Sequence, residues 1–179
     1  MKPPLLRKKT NPSAGLNPQM VTDQNPIHIL LADDDEDDRL LFQEVLNEFS
    51  PGVVLSTVID GEKLMDALAT TPTLPPPHII FLDINMPRKN GIECLAEIRS
   101  NTKFDNVPVF MFSTSANKKD IDMTYEGGAN LYIPKSVFFS DQKESIRKIF
   151  SVHWKEYLAK TPKERFVLNG DGHKEKELW

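Results

Sequence analysis

At 179 residues, 39% hydrophobic and 27% charged, the chain suits one core domain with extensions better than two domains. A net charge of -4 leaves no basic excess to neutralise phosphates, which argues against nucleic-acid binding, and Arg7, Lys8 and Lys9 are too short a run to alter that. The single cysteine, Cys94, excludes an internal disulfide framework or a multi-cysteine zinc site; no apolar run nears the roughly 18 residues that span a bilayer, and Met1 to Lys9 lacks the apolar stretch of a signal peptide, so the expected location is the cytoplasm, with no membrane contact.

Residues 1–25 hold prolines and polar residues without periodicity and are expected to be a disordered leader. Ile27 to Ala32 is a short apolar run rich in strand formers and is followed at once by acidic residues. Leu40, Leu41, Val45, Leu46 and Phe49 then recur at helical spacing, up to the Pro51-Gly52 turn signal. Val53 to Val58 predicts a second strand, and Leu64, Met65, Leu68 and Ala69 a short helix that stops before Pro72 and Pro75-Pro76-Pro77.

His78 to Leu82 predicts a third strand, and Ile92, Leu95, Ala96 and Ile98 mark the next helix. Val107 to Phe112 is another apolar run, Gly127-Gly128 closes the helix after it, and Ala129 to Ile133 is the last strand. Ile146, Ile149, Phe150, His153, Trp154 and Tyr157 form a stripe that predicts a long amphipathic helix. Strands alternating with helices imply parallel pairing, because each crossover returns the chain to the same end of the sheet. All strand C-termini then share one edge, where open α/β sheets bind ligands.

The residues at those ends carry the chemistry. Asp33, Asp34, Asp35, Glu36, Asp37 and Asp38 follow the first strand, Asp83 the third, Ser113 the fourth and Lys135 the fifth. Crowded carboxylates raise one another's pKa unless a cation relieves the repulsion, and hard oxygen ligands suit Mg²⁺. An Asp carboxylate can itself attack phosphorus to form an acyl phosphate, with a lysine and a hydroxyl placed to stabilise the phosphoryl oxygens.

Four segments carry a specific likeness: Leu30-Leu31-Ala32-Asp33-Asp34-Asp35, Phe81-Leu82-Asp83-Ile84-Asn85-Met86-Pro87-Arg88-Lys89-Asn90-Gly91, Val109 to Ser113, and Tyr132-Ile133-Pro134-Lys135. In that order and spacing they resemble the signature segments of response-regulator receiver domains, over about residues 26–150. The resemblance implies a flavodoxin-like, doubly wound, five-stranded parallel sheet of order 2-1-3-4-5 with helices on both faces. It implies Asp83 as phosphoacceptor, Asp33, Asp34, Asp83 and the Asn85 carbonyl as Mg²⁺ ligands (Asp33 through water), Ser113 as switch hydroxyl, Lys135 as its partner on the phosphoryl group and Tyr132 as switch aromatic. It further implies a histidine kinase or histidine phosphotransfer protein as phosphoryl donor and a downstream protein as target. Within the family the chain looks most like small stand-alone regulators associated with phytochrome-type kinases. The module is expected to catalyse only its own phosphorylation and dephosphorylation.

One departure stands out. Receivers usually have a cis proline directly after the lysine, whereas here Ser136 follows Lys135 and Pro134 precedes it, so a trans bond is expected. A calcium loop through Asp33, Asp35, Asp37 and Glu44 fails because Asp38 replaces the turn glycine. The enzyme alternative is a haloacid-dehalogenase-like Mg²⁺-dependent phosphatase with Asp33 and Asp35 as its acidic pair. It lacks the Gly-Thr-like continuation and leaves Asp83 unexplained. Cys94 is expected as a packed thiol. The receiver is expected over 26–160, with a polar tail over 161–179 too short for a DNA-binding unit.

Overall fold

The computed structural model describes residues 26–49, 52–70, 77–151 and 159–168. The expected leader, Pro75 and Pro76, the stripe residues His153, Trp154 and Tyr157, and residues 169–179 of the expected tail lie outside the described residues.

The elements are β1 (Ile27–Ala32), α1 (Glu36–Phe49), β2 (Val53–Val58), α2 (Gly61–Ala69), β3 (Ile79–Leu82), α3 (Gly91–Ser100), β4 (Val109–Ser113), α4 (Lys118–Glu126), β5 (Leu131–Pro134) and α5 (Phe139–Ser151). Every strand pair is parallel and the sheet order is β2-β1-β3-β4-β5. The chain winds outward from β1 to β2 and then returns to place β3 on the other side of β1. The C-termini of β1 and β3 therefore flank the point where the winding direction reverses, the position at which such sheets leave a crevice.

Successive side chains of a strand point to opposite faces, so apolar runs here fill two cores. Ile29, Leu31, Ile79, Phe81, Phe110, Phe112, Leu131 and Ile133 pack on one face with Leu41, Phe42, Val45 and Leu46 of α1 and Ile146, Ile149 and Phe150 of α5. Leu30, Ala32, Ile80, Leu82, Val109, Met111 and Tyr132 pack on the other with Leu64, Leu68, Leu95 and Ile98. Phe42 is the hub of the first core, meeting Phe81 and Phe112 edge-on at 4.7 and 5.8 Å. Its burial alone contributes about 1.5–3 kcal/mol. The apolar stripe expected on α1 is shifted accordingly: Phe42 is inside, while Leu40 is exposed.

β5 begins two residues later than its sequence suggests. The Asn130 side-chain oxygen accepts from the Val109 N–H at 2.9 Å and from Arg99 at 2.8 Å, doing at that point what a strand carbonyl would do. The segment expected as the start of a polar tail also differs. Phe166 is buried, its ring 5.0 Å from Tyr125 and 6.2 Å from Tyr132, and the chain there pairs with the outer edge of β5. Tyr132 N–H donates to the Phe166 carbonyl and Leu168 N–H donates to the Tyr132 carbonyl, each at 2.8 Å. Three consecutive apolar residues, Phe166-Val167-Leu168, are enough to dock an otherwise polar stretch on an exposed strand edge. Among the described residues no helix is long and apolar enough to cross a membrane.

Candidate functional site

β1, β3, β4 and β5 deliver Asp33, Asp83, Ser113 and Lys135 to one edge of the sheet, and all four are buried. The backbone fixes their relative heights: Asp83 N–H donates to the Ala32 carbonyl at 2.9 Å, and Lys135 N–H to the Ser113 carbonyl at 2.9 Å. Asp33, Asp34 and Asp83 each present a carboxylate oxygen within 4.8 Å of the others, with Asp34 exposed at the rim. Asp83 is further ordered by the Ile84 N–H, which donates to its Oδ1 at 2.6 Å.

The Lys135 ammonium is the hub of this cluster. It lies 2.7 Å from Asp33 Oδ2, 2.8 Å from Asp38 Oδ2 and 3.3 Å from Asp83 Oδ2, with the Phe112 ring centroid at 5.3 Å. Burial disfavours its charge, but Asp83 and Asp33 beside it hold its pKa well above the ordinary lysine value. Burial pushes the Asp33 carboxyl up to about 6, even with Lys135 pulling it down. Asp33 Oδ2 meets Lys135 as an ion pair yet makes no hydrogen bond of regular geometry.

Three clustered carboxylates, one of them charged only at a desolvation cost, fit a hard divalent cation. Asp33, Asp34 and Asp83 are the residues that would hold it. A bound ion would neutralise the crowded oxygens and an incoming phosphoryl group.

Ser113 and Tyr132, the expected switch pair, also lie beside this cluster. Ser113 Oγ accepts from the Ser115 N–H at 3.4 Å. Tyr132 is fully buried and its hydroxyl donates to the Ser115 carbonyl at 2.6 Å. Burial pushes its phenol up to about 12. Asn85 is exposed two residues beyond Asp83. No peptide bond among the described residues is cis, so Lys135-Ser136 is trans as expected.

Two features escaped the sequence reading. Asp38 stands in the sequence only as one of the acidic run after β1, yet its carboxylate reaches Lys135 and also accepts from Gln142 at 2.7 Å. The available signal was its place one helical turn after Asp34. Asp60 and Arg88 form an ion pair in which the carboxylate is buried and the guanidinium half-exposed, and nothing in the sequence joins the two. The phosphatase alternative loses its second acid: Asp35 caps α1, its Oδ1 accepting from Asp37 and Asp38 N–H at 2.8 and 3.3 Å.

Comparison with known proteins points the same way as the geometry. Residues 29–147 match the family model of the response regulator receiver domain. Response regulator Rcp1 of Synechocystis sp. is 36% identical over 75% of this chain and 92% of its own length. The structure of the Mn²⁺-bound form of Rcp1 superposes with a TM-score of 0.68 at 34% identity, covering 76% of this chain and all of that one. The phosphorylated cyanobacterial phytochrome response regulator RcpA superposes with a TM-score of 0.67 at 35% identity, covering 69% of this chain and 91% of its own. With its parallel sheet, its acidic pocket at the strand ends and its four signature segments, the chain belongs to the response regulator receiver family and is a phosphoacceptor module of two-component signalling.

Proposed function

We propose that Asp83 is the phosphoacceptor and that Mg²⁺ is the working metal, held by Asp33, Asp34, Asp83 and the Asn85 carbonyl. The observation that carries this reading is the Lys135 ammonium seated among Asp33, Asp38 and Asp83 at 2.7 to 3.3 Å. A cation poised there can pass from carboxylate to phosphoryl oxygens as charge builds on them. A carboxylate oxygen of Asp83 forms a bond to phosphorus while the bond from phosphorus to the donor's imidazole nitrogen breaks, and the electron pair stays on the imidazole. Ser113 then supplies its hydroxyl to a phosphoryl oxygen, and Tyr132, tethered to the Ser115 carbonyl, follows the movement of the β4–α4 segment.

The donor is a histidine kinase or a histidine phosphotransfer protein, and the names of the relatives favour a kinase of the phytochrome type. Such a partner must bring its phosphohistidine to the pocket. Val137, Phe138 and Phe139 follow Lys135 closely and are 94%, 66% and 56% exposed, an apolar rim suited to contact with the donor. The signal leaves by protein–protein contact with a downstream target, in the cytoplasm. The receiver unit covers residues 26–160, with the segment to Leu168 packed against it.

Incubation with acetyl phosphate and Mg²⁺, followed by phosphate-affinity electrophoresis, tests the assignment. A retarded band that needs Mg²⁺ and is lost in Asp83→Asn is expected. An equally retarded band in Asp83→Asn would place the phosphoryl group elsewhere.

A further inference from the structure

Arg88 is the single non-glycine residue with positive φ among the described residues, at +67°. It is the middle residue of a three-residue turn, because Lys89 N–H donates to the Pro87 carbonyl at 2.7 Å. A γ-turn with positive φ is the rarer and more strained of the two kinds, and it persists only where surrounding contacts hold it. Ion pairs supply those contacts. The Arg88 guanidinium pairs with Asp60 and lies 3.6 Å from Glu62. Asp60 is fully buried and caps α2, its Oδ1 accepting from Lys63 N–H at 2.8 Å. No hydrogen bond of regular geometry reaches its Oδ2, so the Arg88 charge is what meets that buried oxygen.

The same loop is pinned at both ends. Gly61, next to Asp60, lies so close to the Lys89 carbonyl that a Cβ would overlap it, and a Cβ on Gly91 would run into the Asp83 carbonyl. Gly91 N–H donates to the Ile84 carbonyl at 3.0 Å, and Met86 N–H donates to the same carbonyl at 3.2 Å. Asn85 therefore sits at the centre of a second tight turn, three residues before Arg88. The run from Asp83 to Gly91 is short and closed on itself, and at the strained turn its ties to the neighbouring α2 end are the Arg88 ion pairs with Asp60 and Glu62.

We infer that Arg88 is a positioning residue for the metal and phosphoacceptor pocket: its pairing with Asp60 holds a strained turn and so sets the loop that presents Asn85 and the back of Asp83. The inference rests on the reading of the pocket given above. A misplaced supporting group commonly weakens a metal site without removing a ligand, by about 10–100-fold.

Two double variants isolate the strained turn from the charge. Arg88→Ala with Asp60→Asn and Arg88→Gly with Asp60→Asn both remove the pair and leave no buried charge, and Asn still caps α2. They differ in that glycine adopts the +67° turn without strain whereas alanine does not. Mn²⁺ affinity, read from the electron paramagnetic resonance of the free ion, is expected to fall about tenfold in the alanine double variant and to return to within about threefold of wild type with glycine. The Mg²⁺ concentration for half-maximal phosphorylation should move in parallel while the saturated rate stays near wild type. A merely structural role would lower thermal stability without splitting the two variants in metal affinity. Equal Mn²⁺ affinity in the two overturns the inference. If the alanine double variant fails to fold, Asp60→Asn alone is expected to weaken Mn²⁺ binding, and wild-type affinity in that protein overturns it as well. Wild-type protein that binds no Mn²⁺, or Asp34→Asn that binds it as well as wild type, would instead bring down the reading of the pocket itself.

Discussion

Lys135 lies 2.8 Å from Asp38, joining the end of β5 to the first turn of α1 through an ion pair that also includes Asp33 and Asp83. The ammonium thus occupies the space between the carboxylates that a metal ion and a phosphoryl group both approach. On the proposed function it would compete with the first and assist the second. Replacing Lys135 by Met should therefore tighten Mg²⁺ binding by up to about tenfold, roughly 1.4 kcal/mol, because one positive charge no longer opposes the ion. The same variant should accept phosphoryl groups far more slowly, since the ammonium no longer meets the charge on the phosphoryl oxygens. Titration calorimetry with Mg²⁺ and a phosphorylation time course give the two numbers. Weaker Mg²⁺ binding in Lys135→Met would show that the lysine organises the carboxylates more than it competes for them.

Cys94 provides a pH-dependent prediction away from the pocket. Its thiol is fully buried, 3.6 Å from the Gly61 carbonyl, and burial pushes it up to about 11 from an ordinary 9.0. The folded state therefore favours the neutral thiol. That contribution is complete below pH 9 and is lost as pH rises through 11, by about 3 kcal/mol across the window. Urea denaturation of wild type and Cys94→Ala should show the wild-type advantage shrinking by that order between pH 8 and pH 11. A constant difference would mean that the thiol ionises as easily inside the protein as outside. The lone cysteine also makes labelling simple to interpret: disulfide reagents should react at neutral pH at the rate of unfolding or local opening.

The parts of the site that were legible in the sequence share one physical origin. Asp33, Asp83, Ser113 and Lys135 each follow an apolar run directly, and parallel strands carry such positions to a common edge whatever the helices do. Asp38 was harder to place because its role depends on how α1 leans over β5, a packing angle that periodicity does not encode. The Arg88–Asp60 pair joins residues 28 positions apart through a turn whose strain only the backbone reveals. Phe166 was read as part of a polar tail, since composition averages over a window and three apolar residues among many polar ones do not change the average. What decided its place was the unpaired edge of β5, which is a property of the sheet and of no single segment.

The Phe166 contact gives a third prediction. Its aromatic packing on Tyr125 and Tyr132 and the two backbone bonds to Tyr132 hold residues 161–168 on β5, together with Lys163, whose ammonium lies 2.8 Å from Asp122. Truncating a buried phenylalanine costs about 3–5 kcal/mol in a core that cannot yield. Here the segment can detach locally at less cost, so the effect on global unfolding should be smaller than that. In Phe166→Ala, hydrogen exchange at the Tyr132 and Leu168 amides should accelerate strongly while the amides of β1 and β3 keep their protection. Unchanged exchange at Tyr132 would show that the backbone pairing holds without the ring.

Ser115 and Asn85 carry the last prediction, on the lifetime of the phosphorylated state. Each stands two residues beyond a pocket side chain, Asn85 after Asp83 and Ser115 after Ser113, and each is expected to tune the approach of water to an acyl phosphate there. The two are held differently. Ser115 is tied down on three sides: its hydroxyl donates to Asp120 at 2.7 Å, its N–H donates to Ser113, and its carbonyl accepts from Tyr132. Asn85 is exposed on a tight turn. Ser115→Ala removes the tie to Asp120 at the first turn of α4 and leaves the backbone contacts intact, so it should change the dephosphorylation rate several-fold without preventing phosphorylation. Asn85→Ala keeps the backbone carbonyl and shortens an exposed side chain two residues beyond Asp83, and should shorten the phosphate half-life by admitting water. Half-lives measured after rapid removal of acetyl phosphate decide both. If neither substitution alters the half-life, hydrolysis is governed by the Lys135, Ser113 and metal contacts alone, and the two flanking positions serve only the loops that carry them.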